Sequence, residues 1–224
     1  MSRRSESIQE LSASIAERHW GECKVVLYRV LYGVPSAVAL PITVRVIERY
    51  LPKFESHFPN VTWPRELLHN PQQWVSQYGR ALPDSPESDR LSDARFIFSL
   101  DALLLGWTYY SDVSILTSSC ACGIAEAIGA ITQEAAGEEA NRADLEECEG
   151  CRGTAKKKAP PPHPEAPIEH ARSREWQYVL DLLVTQKVDR YPDVEPKERM
   201  DADFAEWQSR AMLLLVPLPT ISDY

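Results

Sequence analysis

From Leu40 the apolar residues of this chain fall at Leu40, Val44, Ile47, Leu51, Phe54 and Phe58, in steps of four and three that trace one face of an α-helix. No other feature restricts the fold as strongly, because that spacing cannot be laid on a strand, whose faces alternate every second residue. The spacing predicts a helix over 40–58, bent by Pro52 near its last turns and ended by Pro59.

The rest of the chain reads the same way. Ser7 and Glu10 stand at capping-box spacing ahead of Leu11 and Ile15, and Gly33 follows Val26, Leu27, Val30 and Leu31 as a stop. One or two helices are therefore expected before residue 33. Asn70-Pro71 reads as an N-cap with proline at the first helical position, opening a short helix that carries Trp74 and Tyr78 and stops at Gly79. The stretch from Leu82 to Ser88, with Pro83 and Pro86, is a loop. Two apolar stretches, 89–110 and 112–132, are too long for strands, and Ser111-Asp112 between them can cap the second, which predicts the central hairpin of a bundle.

In residues 134–171, Glu134, Glu138, Glu139, Asp144, Glu146, Glu147 and Glu149 face the single base Arg142, then come Lys156 to Lys158 and the prolines from Pro160 to Pro164. This predicts an acidic helix end followed by a mobile, Pro-rich loop. Trp176, Val179, Leu180 and Leu183, then Met200, Phe204, Trp207, Ala211 and Leu214, mark two closing helices, and Val216 to Tyr224 reads as extended. No alternating run and no repeat is visible. The fold class is all-α, a single domain over 1–224 built as a bundle of about six to eight helices with one long polar loop.

Composition narrows the function classes. A chain of 224 residues with 44% hydrophobic content can build its core without disulfide or metal. Its 24 basic and 33 acidic residues give a net charge of −9, without the clustered Lys and Arg that free nucleic acid requires. The uncharged stretches 33–44 and 113–125 fall short of the ~20 apolar residues of a spanning helix, so no membrane segment is expected. Arg3 and Arg4 precede no apolar run, because Glu6, Glu10 and Glu17 interrupt it, so no secretion signal is expected. Five cysteines are an odd set that suits reduced thiols, and the expected location is the cytoplasm.

No phosphate loop, dinucleotide fingerprint, zincin helix or nucleophile elbow occurs, and no enzymatic site can be assembled. His19, His57, His69, His163 and His170 are never three or four residues apart, and each reads as a surface or cap residue. Adjacent acids such as Glu138-Glu139 and Glu146-Glu147 diverge on a helix and read as a solvated face. The sharpest chemical cue is Cys148-Glu-Gly-Cys151 followed by Gly153, half of a zinc site. Its other half is missing: Cys120 and Cys122 point to different sides of a helix and read as core, which leaves His163 and His170 in the loop as candidates. No cofactor is expected, and a zinc- or thiol-dependent adaptor using Cys148 and Cys151 is the alternative reading. Trp176, Trp207 and Phe204 lie on apolar helical faces, whereas Trp63, beside Pro64, belongs to no periodic face and is a candidate contact residue.

Several segments together resemble a known family. They are the run Val25 to Gly33, the sequence Leu51-Pro52-Lys53-Phe54-Glu55 with Phe58-Pro59, Pro64, the long central helices, and Arg174-Glu175-Trp176-Gln177 before Leu180, Leu182 and Leu183. Their order and spacing resemble an all-helical family of immunity proteins from bacterial polymorphic toxin systems, with Phe54 where that family tends to carry tryptophan. The resemblance implies a protein that is not an enzyme, is made beside a toxin, and covers the toxin's active site or substrate surface. An acidic inhibitor suits a basic nuclease, which makes a toxin domain of that kind the expected partner. The expected contact residues are Glu138, Glu139, Glu146 and Glu147 in one cluster, Asp189, Asp193 and Glu195 in another, and Trp63.

Overall fold

In the computed structural model, the described residues are 3–84, 86, 88–150 and 165–192, with the side chains of 138–150 and 165–167 set aside. They form nine α-helices, one short 3-10 helix and no strand, as the spacing requires.

The first two helices, α1 (Arg3–Ala16) and α2 (Trp20–Leu31), form an antiparallel pair. α1 begins ahead of the expected capping box, so Ser7 and Glu10 lie inside it, and Glu10 accepts from Arg29 of α2 at 2.9 Å. α2 does stop at Gly33, whose φ of 72° lies in the left-handed region that favours glycine.

The single helix expected over 40–58 is two. α3 (Ser36–Ile47) ends in a turn through Glu48, Arg49 and Tyr50, and α4 (Leu51–His57) starts afresh. Pro52 causes the break: inside a helix its ring would meet the Glu48 carbonyl, whereas at the second position of α4 its missing N–H is no loss. The apolar face survives the break, with Leu40, Ile47, Leu51 and Phe54 all buried. The proline that does stand inside a helix is Pro41, which removes the helical donor to the Ala37 carbonyl.

Two short helices follow, α5 (Trp63–His69) and α6 (Pro71–Tyr78). The Asn70 cap forms as expected, its side-chain oxygen accepting from the Gln73 amide at 3.2 Å, and Gly79 with φ 60° closes α6. α5 and the split of 40–58 raise the helix count above the expected range.

The central hairpin is α7 (Leu91–Thr108) and α8 (Val113–Gly150), and Asp112 caps α8 by accepting from the Ile115 amide at 2.9 Å. A Cβ at Gly123 would lie 3.3 Å from both the Ser99 carbonyl and a Thr43 methyl, so glycine lets α8 approach α7 and α3 closely. The stretch Val113–Gly137 is long and apolar enough to span a membrane, contrary to expectation, because its two acids, Glu126 and Glu134, do not end it. In the fold 72% of that apolar window is buried, as α8 is the central helix packed on α2, α3, α7 and α9.

α9 (Glu165–Thr185) carries Trp176, Val179, Leu180 and Leu183 into the core and leads to the 3-10 helix Val188–Arg190. It begins earlier than expected: residues 165–171, assigned to the loop, form its first turns, and Pro167 at the third position has no intrahelical donor role to lose. His170 is accordingly an exposed helical residue rather than a loop ligand. The second closing helix and the extended end fall outside the described residues. Arg4, only 2% exposed, ties the ends together by donating to the carbonyls of Val30 (3.0 Å), Tyr32, Tyr191 and Pro192 (3.0 Å).

Candidate functional site

A ring stack seats α4 on α7: Phe96 lies 4.9 Å from Phe54 and 5.3 Å from Tyr50, between centroids. Its apolar side faces the core, and on its other side α4, α7 and α8 bring polar groups together. Tyr50 comes from the turn before α4, Lys53 and His57 from α4, Ser88 and Arg90 from the approach to α7, Ser92 and Asp93 from its first turn, and Glu134 from α8.

Asp93 is the hub. Its side chain is 2% exposed and accepts from the Tyr50 hydroxyl at 2.9 Å, His57 Nδ1 at 2.9 Å and the Ser88 hydroxyl at 2.8 Å. Its place in the first turn of α7 adds the favourable end of the helix dipole. Burial, with Asp93 and Glu134 nearby, pushes the Tyr50 phenol well above its ordinary range, so it remains a donor. Arg90 Nη1 approaches His57 Nε2 at 2.6 Å, and a guanidinium can only donate. The neutral imidazole therefore carries its proton on Nδ1, toward Asp93, and its lone pair on Nε2, toward Arg90.

Glu134 closes the cluster from α8. It accepts from the Ser92 hydroxyl at 3.1 Å and lies 3.4 Å from His57 Nε2, 3.7 Å from Lys53 Nζ and 3.8 Å from Arg90 Nη1. Two cations, Lys53 and Arg90, thus face two carboxylates, Asp93 and Glu134, around the His57 ring. Proton abstraction by His57 Nε2 requires displacement of Arg90, so the arrangement is built to hold three helices in register more than to move a proton. Lys53, Phe54 and Phe58, which carry part of the family resemblance, belong to this corner of the fold.

The expected contact residues are dispersed. Glu138, Glu139, Glu146, Glu147 and Cys148 lie on the α8 backbone beyond Glu134, while Cys151, Asp193 and Glu195 fall outside the described residues. Asp189 is exposed in the 3-10 helix. Trp63 is half-buried at the start of α5, tilted against Trp74 at 6.2 Å between centroids, and its indole N–H is buried without a protein partner. Cys120 and Cys122 are buried as expected. His19 and His69 are surface residues as expected, but His57 is a partly buried network member, and Asp93 and Glu134 were not singled out as its partners. The signal available was slight: Tyr50, Lys53 and His57 recur at helical spacing, while Asp93 is distant in sequence.

A second feature is apolar. A groove of about 460 Å³ opens between α3, α6 and the end of α7, lined by Ala37, Leu40, Pro41, Val75, Trp107 and Tyr110 among others. Tyr110 is 60% exposed at its edge, and the Trp107 indole N–H is buried without a partner.

Comparison with protein-family models, with curated proteins and with solved structures gives no match in any of the three.

Proposed function

We propose that this chain is an immunity protein, a non-enzymatic helical protein that binds a cognate toxin domain in the cytoplasm and covers its active site or substrate surface. The observation that carries this reading is the course of α8, which continues past Glu134 as one helix through the acidic segment to Gly150. At about 1.5 Å per residue, the part from Glu134 to Glu149 extends roughly 22 Å. It is rooted by Glu134 in the Lys53, His57 and Arg90 cluster. An acidic helix on a fixed root is suited to a basic groove, where charge complementarity raises the association rate and rejects wrong partners. The family resemblance supplies the class of partner, and the corner formed by Lys53, Phe54 and Phe58 supplies the root.

Reversing the charge of Glu138, Glu139, Glu146 and Glu147 to lysine together tests this. Association with the toxin encoded beside the chain should slow by at least about tenfold at low salt, and the difference should shrink as salt is raised. Unchanged association removes the acidic helix from the interface.

A further inference from the structure

The outer face of α7 carries an apolar stripe that the core does not use. Leu91 is 57% and Phe98 46% exposed, Ala94 is exposed, and Leu105 is half-buried. These four follow one another in steps of three, four and seven, which keep to the repeat of about 3.5 residues found along a seam between two helices. The opposite face of α7, with Phe96, Leu100, Leu103 and Leu104, already fills the core.

Two charges flank the stripe at equal distances from its middle. Arg95 stands three residues before Phe98 and Asp101 three residues after it. The Arg95 guanidinium lies across α8 at Gly129, where a Cβ would collide with it. Among the described residues Arg95 meets only Glu126, at 3.5 Å from Nε, so donors on its two terminal nitrogens are left to spare. Asp101 meets Arg80 at 3.3 Å, and burial still holds its carboxyl above the ordinary value, so a second cation beside it would be favourable.

The pattern reads alike in both directions from Phe98: leucine stands seven residues away on either side, at 91 and 105, alanine four away, at 94 and 102, and the opposite charges three away. We infer that two copies of this chain pair through α7, antiparallel, about a two-fold axis beside Phe98. In that register Leu91 faces Leu105 of the second copy, Ala94 faces Ala102, Phe98 faces Phe98 and Arg95 faces Asp101, and the symmetry makes each unlike match twice. The alanines keep bulk out of the contact, so the helices can approach closely. A parallel pairing in register would instead set Arg95 against Arg95 and Asp101 against Asp101, which charge forbids. The seam from Leu91 to Leu105 is roughly 21 Å long, at the small end for a specific interface, so the dimer forms at micromolar rather than nanomolar concentration. None of this depends on the toxin-binding reading.

Sedimentation equilibrium of the full chain tests the pairing. The mass should rise to twice that of one chain at high concentration and fall to the single mass on dilution over about a hundredfold range. Phe98→Lys and, separately, Arg95→Glu should each weaken association at least about tenfold with helical content unchanged, the second because it sets an acid against Asp101. Phe98→Cys, oxidised at high concentration, should join two copies through residue 98, as located by peptide mapping, whereas Val184→Cys at an exposed position of α9 should not join them through residue 184. A single mass at every concentration, a dimer indifferent to both charge substitutions, or no link through residue 98 would overturn the inference.

Discussion

Arg49 and Glu175 clamp the turn between α3 and α4 to α9, with Arg49 Nε and Nη2 meeting the two carboxylate oxygens of Glu175 at 2.5 and 2.9 Å. The carboxylate is 1% exposed and the guanidinium 35% exposed, and the same guanidinium lies 4.3 Å from the Tyr178 ring centroid. Such a pair joins residues 126 apart in sequence across the bundle, and Glu175 is the acid of the Arg-Glu-Trp-Gln segment that carries part of the family resemblance.

Removing one partner should cost more than removing both. Arg49→Met leaves a buried, half-neutralised carboxylate and should destabilise by about 3 kcal/mol, the low end for a broken buried pair because water reaches Arg49. Arg49→Met with Glu175→Leu should recover most of that loss. Urea unfolding of the wild type, both single variants and the double variant gives the coupling, and additive effects would show that the pair is not coupled.

The Asp93 cluster makes a sharper claim about protons. Because Arg90 can only donate, the neutral His57 ring should be the Nδ1–H tautomer, readable from its ring-nitrogen shifts and couplings in a labelled sample. Asp93→Ala strips the acceptor from Tyr50, His57 and Ser88 at once and should destabilise by roughly 3 kcal/mol or more. A neutral ring protonated on Nε2 would contradict the geometry.

Thiol reactivity follows burial. Desolvation pushes Cys23 up to about 11 and Cys120 to about 12, and raises Cys122 despite Lys24 Nζ lying 3.6 Å from its sulfur. At pH 8 a thiol with a pKa near 11 is about one part in a thousand thiolate, so at most two of the five cysteines should react quickly with a disulfide reagent until the chain is unfolded. Rapid titration of three or more in the native protein would refute the burial. The linkage has a sign: folded values above the ordinary 9.0 give stability that is complete below pH 9 and is lost as pH climbs through about 11 and 12.

Asp101 and Arg80 test the opposite end of the scale. Burial raises the Asp101 carboxyl above its ordinary value, and Arg80, with Nη2 at 3.3 Å, partly reverses that rise. A raised folded value means that the stability contribution is fullest below the unfolded value and falls as pH rises through the folded one. Arg80→Leu removes the compensating charge, so its destabilisation should grow between pH 4 and pH 7 in paired denaturation curves. An effect independent of pH would mean that Arg80 acts only by packing.

The helical fold was legible where the determinant was local. Asn70 and Asp112 cap their helices, Gly33 and Gly79 end theirs, and the stripe from Trp176 to Leu183 lies in the core. Pro52 shows the limit of periodicity: the apolar face persisted through residues 40–58, but a face constrains which side is buried and not whether the backbone hydrogen bonds run unbroken. The polar cluster was illegible for a different reason. Its members are ordinary polar residues on three helices, brought into contact by the rings of Tyr50, Phe54 and Phe96 between α4 and α7 and by the packing of α8 on α7. Interface acids are harder still to single out, because a binding surface shares the composition of the rest of the exterior.

The central claim is neutralisation of a toxin, and cell survival reads it most directly. The C-terminal domain of a large secreted-type protein encoded beside this chain is expressed in bacteria with and without it, and surviving cells are counted. Survival only in the presence of this chain, with the two proteins co-purifying, is the predicted result. A harmless neighbour, or equal killing in both cultures, would contradict the claim.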